Sequence, residues 1–282
     1  MPAVLGTNVA SLWASKNLQS AQSNMANSVE RLSSGLRINR ARDDAAGLGI
    51  SNALTQQINS ADQGIRNLND GISIAQTAEG AITQASEMAQ RILTLAVQGQ
   101  SSALSQTQKN SITTEMRSLL DGINAIQTRT KFGGNTTALL GGATVSVYSS
   151  KESGDKIDIS PTALASISTG GSTVAATLSL YVTTTASSAT EFQSIATSAS
   201  SYISALDTQR GILGAVQNQM EYSVNNILEL SANLSSARSR IVDTDYATET
   251  ATLTKGQILQ QAATAMLAQA NQMPNVILSL LK

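Results

Sequence analysis

Apolar residues recur at alternating three- and four-residue steps in two arms at opposite ends of this chain, and a stretch rich in Ser and Thr separates the arms. On the amino side the series is Leu54, Ile58, Ala61, Ile65, Leu68, Ile72, Ala75, then Ala78, Ile82, Ala85, Ala89, Ile92 and Ala96. On the carboxyl side it is Phe192, Ile195, Ala199, Tyr202, Leu206, Gln209, Leu213, Val216, Met220, Ser223, Ile227, Leu230, Leu234, Ala237 and Ile241, with only Gln209 and Ser223 polar. A period near 3.5 lays one apolar seam along a long helix. A single helix cannot bury such a seam, so the arms are expected to meet each other. The expected fold is mostly α: a long antiparallel coiled-coil-like helical rod formed by both chain ends, with a small β-hairpin and insert region in the middle. The rod-core contacts on this reading are Leu54, Ile58, Ile65, Leu68 and Ile72 from one arm. From the other they are Leu213, Val216, Met220, Ile227, Leu230 and Leu234.

Composition narrows the function. Aromatic residues make up 3% of the 282 residues, so small side chains supply much of the packing surface, which suits helices in close approach better than a deep pocket. A net charge of -1, from 18 basic and 19 acidic side chains, gives no field that draws the chain to nucleic acid or an anionic membrane. The chain has no His and no Cys, which removes disulfides, thiolate chemistry, zinc sites with those ligands and His-based triads. No apolar run reaches the ~20 residues that span a bilayer, so no membrane insertion is expected. The amino end lacks a cleavable signal pattern: Lys16 is its first charge, and Gly6, Thr7, Asn8 and Ser11 interrupt what precedes it. On that ground alone the chain reads as cytoplasmic.

Prolines stand only at positions 2, 161 and 274, which leaves both arms free of the strongest helix breaker. An earlier seam holds Met25, Val29, Leu32 and Leu36, and a charged segment from Gly35 to Gly47 follows it. Asp43 or Asp44 is expected to cap the next helix, which runs to about Gly99. Two successive three-residue steps at Ile72, Ala75 and Ala78 form a stammer in its seam. Ser105-Gln106-Thr107-Gln108 is a capping box that opens a second helix, antiparallel to the first across a short connection. Alternation in Thr144–Tyr148 and Lys156–Ile159 predicts a hairpin turning around Ser153-Gly154-Asp155. Residues 160–201 hold 20 Ser or Thr and one charge, Glu191. That segment reads as a surface insertion with turns, in which Leu178 to Val182 reads as a further strand, or as a platform of hydroxyls for O-linked sugars at Thr169, Ser172, Thr173, Thr183, Thr184, Thr185, Ser187 and Ser188. Ser188-Ala189-Thr190-Glu191 is a second capping box, directly before the carboxyl arm. Past Asp245 the seam resumes at Leu259, Ala263, Met266, Ala270, Met273, Ile277 and Leu280. Neither extreme end has an evident partner within the chain, so both are expected to stay disordered in a monomer and to order when many copies share their stripes.

Catalytic chemistry is not expected. Gly47-Leu48-Gly49 lacks the third Gly and the preceding strand of a nucleotide loop. Asp43-Asp44 and Asp243 with Asp245 lie among arginines, where capping and ion pairing account for them. No catalytic, cofactor-binding or metal-binding residue is assigned, and no cofactor.

Long phrases at both ends resemble bacterial flagellin. They include Glu30-Arg31-Leu32-Ser33-Ser34-Gly35-Leu36-Arg37-Ile38-Asn39, Asp43-Asp44-Ala45-Ala46-Gly47 and Asn69-Asp70-Gly71-Ile72-Ser73-Ile74-Ala75-Gln76-Thr77. Towards the carboxyl end stand Leu234-Ser235-Ser236-Ala237-Arg238-Ser239-Arg240-Ile241, Asp245-Tyr246-Ala247-Thr248-Glu249 and Leu267-Ala268-Gln269-Ala270-Asn271-Gln272. The likeness covers about residues 1–160 and 195–282. It implies a subunit that polymerises with itself into the flagellar filament for swimming, the alternative being a hook–filament junction protein. It further implies extracellular residence after export through the flagellar type III apparatus, without a cleaved signal peptide. The implied partners are an export chaperone, the filament cap and hook-associated proteins. The expected organisation is an inner-core helix at 1–44, rod segments at 45–142 and 191–243, a variable insert at 143–190 and a second inner-core helix at 244–282. Val29, Leu32, Leu36, Leu259, Met266, Ile277 and Leu280 would make the inner-core contacts. The resemblance also implies recognition by Toll-like receptor 5 through Arg91, Leu95, Ile112 and Glu115, with Arg91 and Leu95 facing outward beside the buried Ile92 and Ala96.

Overall fold

The computed structural model describes residues 8–132, 138–142, 144–150, 154–160, 168–169, 172–173 and 188–280, the last eight by backbone only. Its helices are α1 (Val9–Ser34), α2 (Ala45–Gly99), α3 (Gln106–Arg129), α4 (Ala189–Val242) and α5 (Tyr246–Leu280). A 3-10 turn, Leu139–Gly141, precedes strands β1 (Val145–Tyr148) and β2 (Lys156–Ile159). A second, two-residue pair follows as β3 (Ser168–Thr169) and β4 (Ser172–Thr173). The run Leu178 to Val182 lies outside the described residues. Two compact units divide the chain: Met1–Ile58 with Ala232–Lys282, and Asn59–Ser231.

Helix boundaries follow local chemistry. The Asp44 carboxylate accepts the Gly47 amide at 2.8 Å and so caps α2, while Asp43 accepts the Asn39 and Arg40 amides and folds the preceding turn. Both predicted capping boxes form. Ser105 and Gln108 exchange bonds at the start of α3. At α4 the Ser188 amide donates to Glu191 Oε2 at 2.9 Å, and the Glu191 amide donates to Ser188 Oγ. Gly35 ends α1 in the left-handed region, φ 72°, where a side chain would be strained.

In the unit Asn59–Ser231, α2, α3, the hairpin and the first part of α4 share one core. The α4 seam is buried at Phe192, Ile195, Ala199, Tyr202, Leu206, Leu213 and Met220. Facing it are Ala61, Leu68, Ala75, Ala78, Ile82, Ala85, Ala89, Ile92 and Ala96 of α2, so Ala75 and Ala78 of the expected stammer are buried. Ile65, Ile72, Val216 and Ile227 are half-buried. Leu230 departs from the expectation. It is 49% exposed, whereas Ile227 and Leu234, seven residues apart on either side of it, are half-buried, so the three-residue step from Ile227 carries position 230 off the buried face.

The hairpin pairs antiparallel in the register Val145↔Ile159 and Val147↔Ile157, which places those four side chains on one face. That face covers α2 where α2 has no side chains to interfere. A Cβ on Gly71 would stand 2.8 Å from Val147 Cγ2, and one on Gly64 would collide with the Ser149 carbonyl. Between them Asn67 Nδ2 donates to the Tyr148 carbonyl at 3.0 Å. The substitution Gly64→Ala is therefore expected to lift the hairpin from α2. Faster hydrogen exchange at residues 145–159, with α4 unchanged, checks this, and native protection of the hairpin would refute it.

In the other unit the expectation that neither end finds a partner within the chain is corrected. α1 and α5 lie antiparallel against each other, with Asn8 Nδ2 donating to the Ala270 carbonyl at 2.7 Å and Arg31 paired with Glu249 at 3.6 Å. The contact runs on small residues. Ala14, Ala21 and Ser28 are buried from α1, and Gly256, Ala263 and Ala270 from α5, each set repeating every seven positions. Small side chains let two helix backbones approach closely, whereas a row of Leu would hold them apart. Leu54, Ile58 and Leu234, also in this unit, are half-buried. Where α1 meets α2 and α4 meets α5 the two linkers are bonded together: the Arg37 amide donates to the Val242 carbonyl at 2.6 Å and the Thr244 amide to the Gly35 carbonyl at 2.9 Å. Ile38 and Val242 are buried there.

Two carboxylates hold these linkers, and a third sits on the hairpin. The Asp43 carboxyl is kept below its usual 3.8 chiefly by the Arg40 amide, Asp245 by the Thr248 hydroxyl and then the Thr248 and Ala247 amides, and Asp158 by the Ser146 hydroxyl and then Lys156. Folded values lowered in this way contribute stability that is present above 3.8 and is lost as pH falls through them. Amide protection at residues 39–47 and 245–249 is expected to be flat above about pH 5 and to drop at pH 3. Protection that first fails near neutrality would contradict these assignments.

Candidate assembly surfaces

Small residues fill the buried centre of the α1–α5 contact, with Leu18, Met25, Leu32, Leu253 and Leu267 half-buried, and several other large apolar side chains of these helices are left outside it. Leu12, Trp13 and Val29 of α1 are exposed, as are Ile258, Leu259 and Met266 of α5, the last by 65%. Lys16 Nζ sits 5.3 Å from the centre of the Trp13 ring. Of the residues expected to make inner-core contacts, Val29, Leu259 and Met266 are thus free for another molecule, while Leu32 and Leu36 are half-buried. Ile277 and Leu280 lie on α5 by backbone, and their side chains are outside the described residues. The signal for the small-residue contact was present in the sequence as two seven-residue repeats, but it is outweighed when only bulky side chains are counted.

The residues expected to contact the receptor are brought together in part. Arg91 of α2 and Glu115 of α3 meet on the surface, with Arg91 Nη2 2.7 Å and Nε 3.0 Å from Glu115 Oε1. Leu95 does not face outward as expected. It is 1% exposed and belongs to the core with Ile92 and Ala96, and Ile112 is buried as well. The reason is that α2 packs against α3 as well as α4, so its buried face is wider than one seam. Around Arg91 the outward residues are Glu87, Gln90, Thr94, Val97 and Gln98.

Of the hydroxyls named for sugars, Thr169, Ser172 and Thr173 fall in β3 and β4, described by backbone. Thr183, Thr184, Thr185 and Ser187 lie outside the described residues. Ser188 is exposed, and its oxygen is occupied in capping α4. Among the described residues no group of three metal-ligating side chains gathers, and no helix is long and apolar enough to cross a membrane.

Long helices with a small-residue contact inside and large apolar side chains left outside define a structural subunit of an assembly. Comparison with known proteins gives the family. Residues 5–145 match the bacterial flagellin N-terminal helical region, and residues 196–281 match the bacterial flagellin C-terminal helical region. The chain is 38% identical to a flagellin of Bacillus subtilis, with 98% of each chain covered. It is 37% identical to a flagellin of Halalkalibacterium halodurans, covering 99% of this chain and all of that one. A solved Vibrio parahaemolyticus chain, provisionally described as a flagellar hook-associated protein, shares the fold at TM-score 0.61 and 15% identity over 71% of this chain and all of that one. The chain belongs to the bacterial flagellin family, structural proteins that polymerise into the extracellular flagellar filament.

Proposed function

We propose that this chain builds the filament through the apolar row that α1 and α5 leave uncovered, with residues 1–44 and 244–282 forming the inner layer and 45–142 with 191–243 the layer outside it. The observation that carries this reading is the set Leu12, Trp13, Val29, Ile258, Leu259 and Met266, exposed on helices already paired within the chain. Each such side chain gains about 1.5–3 kcal/mol on full burial, so a few per subunit favour association strongly. Export proceeds through the flagellar type III apparatus, with a chaperone holding the carboxyl-terminal helix and the filament cap and hook-associated proteins meeting the ends. The test is purified chain given salt or filament seeds and imaged. Long helical filaments support the reading, and short caps or monomers overturn it.

The same chain serves as a ligand of Toll-like receptor 5 through the exposed Arg91–Glu115 pair, with Leu95 and Ile112 supporting the patch from beneath. A guanidinium presents a planar donor fork to carboxylates or carbonyls. Arg91→Ala is expected to lower receptor signalling by monomers by about tenfold or more, the equivalent of ~1.4 kcal/mol, with the thermal melt unchanged because the pair is exposed. Thr184→Ala is the control. Equal signalling by both variants would remove Arg91 from recognition.

A further inference from the structure

One face of α4 is not explained by the shared core of its unit or by the apolar row on α1 and α5. Ile212, Ala215, Gln219, Tyr222, Asn226 and Leu230 follow at steps of three and four, so they share a face, and Ile212, Tyr222 and Leu230 on it are exposed. Tyr222 is 77% exposed, the most of any large apolar side chain described. Glu229, two turns on from Tyr222, stands at the edge of this face, and Glu221, the residue before Tyr222, lies about 100° round the helix from it; both are exposed and have no ion pair or hydrogen bond among the described residues. An exposed ring with free carboxylates on the same stretch of helix suits a surface that carries several guanidinium groups, one stacking on the ring and others pairing with the carboxylates.

The chain carries such a partner on its other unit. Met1–Ile58 with Ala232–Lys282 holds nine basic and six acidic side chains, net +3, while Asn59–Ser231 holds nine basic and thirteen acidic, net -4. Four of the basic groups, Arg37, Arg40, Arg42 and Arg238, belong to the region of the bonded linkers. Arg37 Nη2 reaches the Ile241 carbonyl, one turn past Arg238, and Arg238 itself has no partner among the described residues.

We propose that the Ile212–Tyr222–Leu230 face of α4 is a contact between subunits, and that it takes the arginine-bearing linker region of a second copy. This rests on the filament reading and adds to it which surfaces meet. Two different patches joined in this way give a heterologous contact, which repeats from copy to copy and does not close on itself in a dimer. Opposite net charges on the two units favour this pairing over like on like and speed the encounter at low salt.

The absence of Cys makes the test direct. Gln219→Cys and Ala41→Cys chains, each exposed at the new thiol, are mixed, grown on seeds and oxidised. Disulfide-linked pairs are expected after polymerisation and not before, well above the yield from Gln219→Cys with Gln76→Cys. In parallel, Glu221→Lys/Glu229→Lys is expected to slow elongation at least about tenfold, with an unchanged melt, and the added change Arg42→Glu/Arg238→Glu to restore part of the rate. Normal filaments whose Gln219–Ala41 pair links no better than the control would overturn this contact and leave the filament reading standing. A parent chain that adds to no seeds would overturn both.

Discussion

Replacing Leu206 by Asp is expected to unfold the Asn59–Ser231 unit at ordinary temperature. Leu206 is 0% exposed and sits on the α4 seam between Tyr202 and Leu213, both buried. An aspartate there loses the apolar contact and places a carboxylate where no charged partner is within the core cluster. The combined cost is several kcal/mol, a large share of the ~5–15 kcal/mol that holds an ordinary domain together. The same change at Leu234 is expected to cost less, because Leu234 is only half-buried and its charge would keep part of its hydration. Thermal melting followed by circular dichroism checks both, with filament growth read separately. Equal melting of Leu206→Asp and the parent would mean that α4 is rotated so that Leu206 leaves the core.

The second large effect is expected from Ala21→Leu. Ala21 lies in the α1–α5 contact, where its carbonyl is 4.0 Å from the place a Gly256 Cβ would take. A leucine at that point forces the helices apart, at a cost of about 1–3 kcal/mol or more, and shifts every exposed side chain on both relative to a neighbouring copy. Filament assembly should fail with it, and the melt of the unit Met1–Ile58 with Ala232–Lys282 should fall. Met266→Ser is the contrast. Met266 is exposed, so its loss leaves the pairing of α1 with α5 intact while removing apolar surface from the proposed assembly row. Its monomer should exchange amide hydrogens as the parent does and yet elongate poorly. If Ala21→Leu assembles normally, the helices separate or re-pair in the filament. If Met266→Ser does, the row is not where copies meet.

Much of the fold was legible because helix formation is local. The 3.5-residue seams, the capping boxes at Ser105 and Ser188, the Asp44 cap and the alternation in the hairpin each depend on residues within a turn or two of one another. Those interactions fix where helices and strands start and stop. The flagellin phrases were legible for the same reason, as contiguous runs.

Three things were decided only in three dimensions. Leu95 is buried because α2 meets two helices there, and a periodicity in one strand of sequence cannot show how many neighbours a helix has. Gly64 and Gly71 look like weak points in a helix until the hairpin lies on them, when the missing side chains become the seat for the Ser149 carbonyl and Val147. The ends find each other through Ala14, Ala21 and Ser28 against Gly256, Ala263 and Ala270, because close backbone approach favours small residues at the centre and leaves several larger ones exposed. The sequence by itself determined the helices and the family, since both are written in neighbouring residues. Which face of each helix is covered within the chain, and which is left for another copy, depends on distances between residues far apart in the chain, and that only the tertiary structure decided.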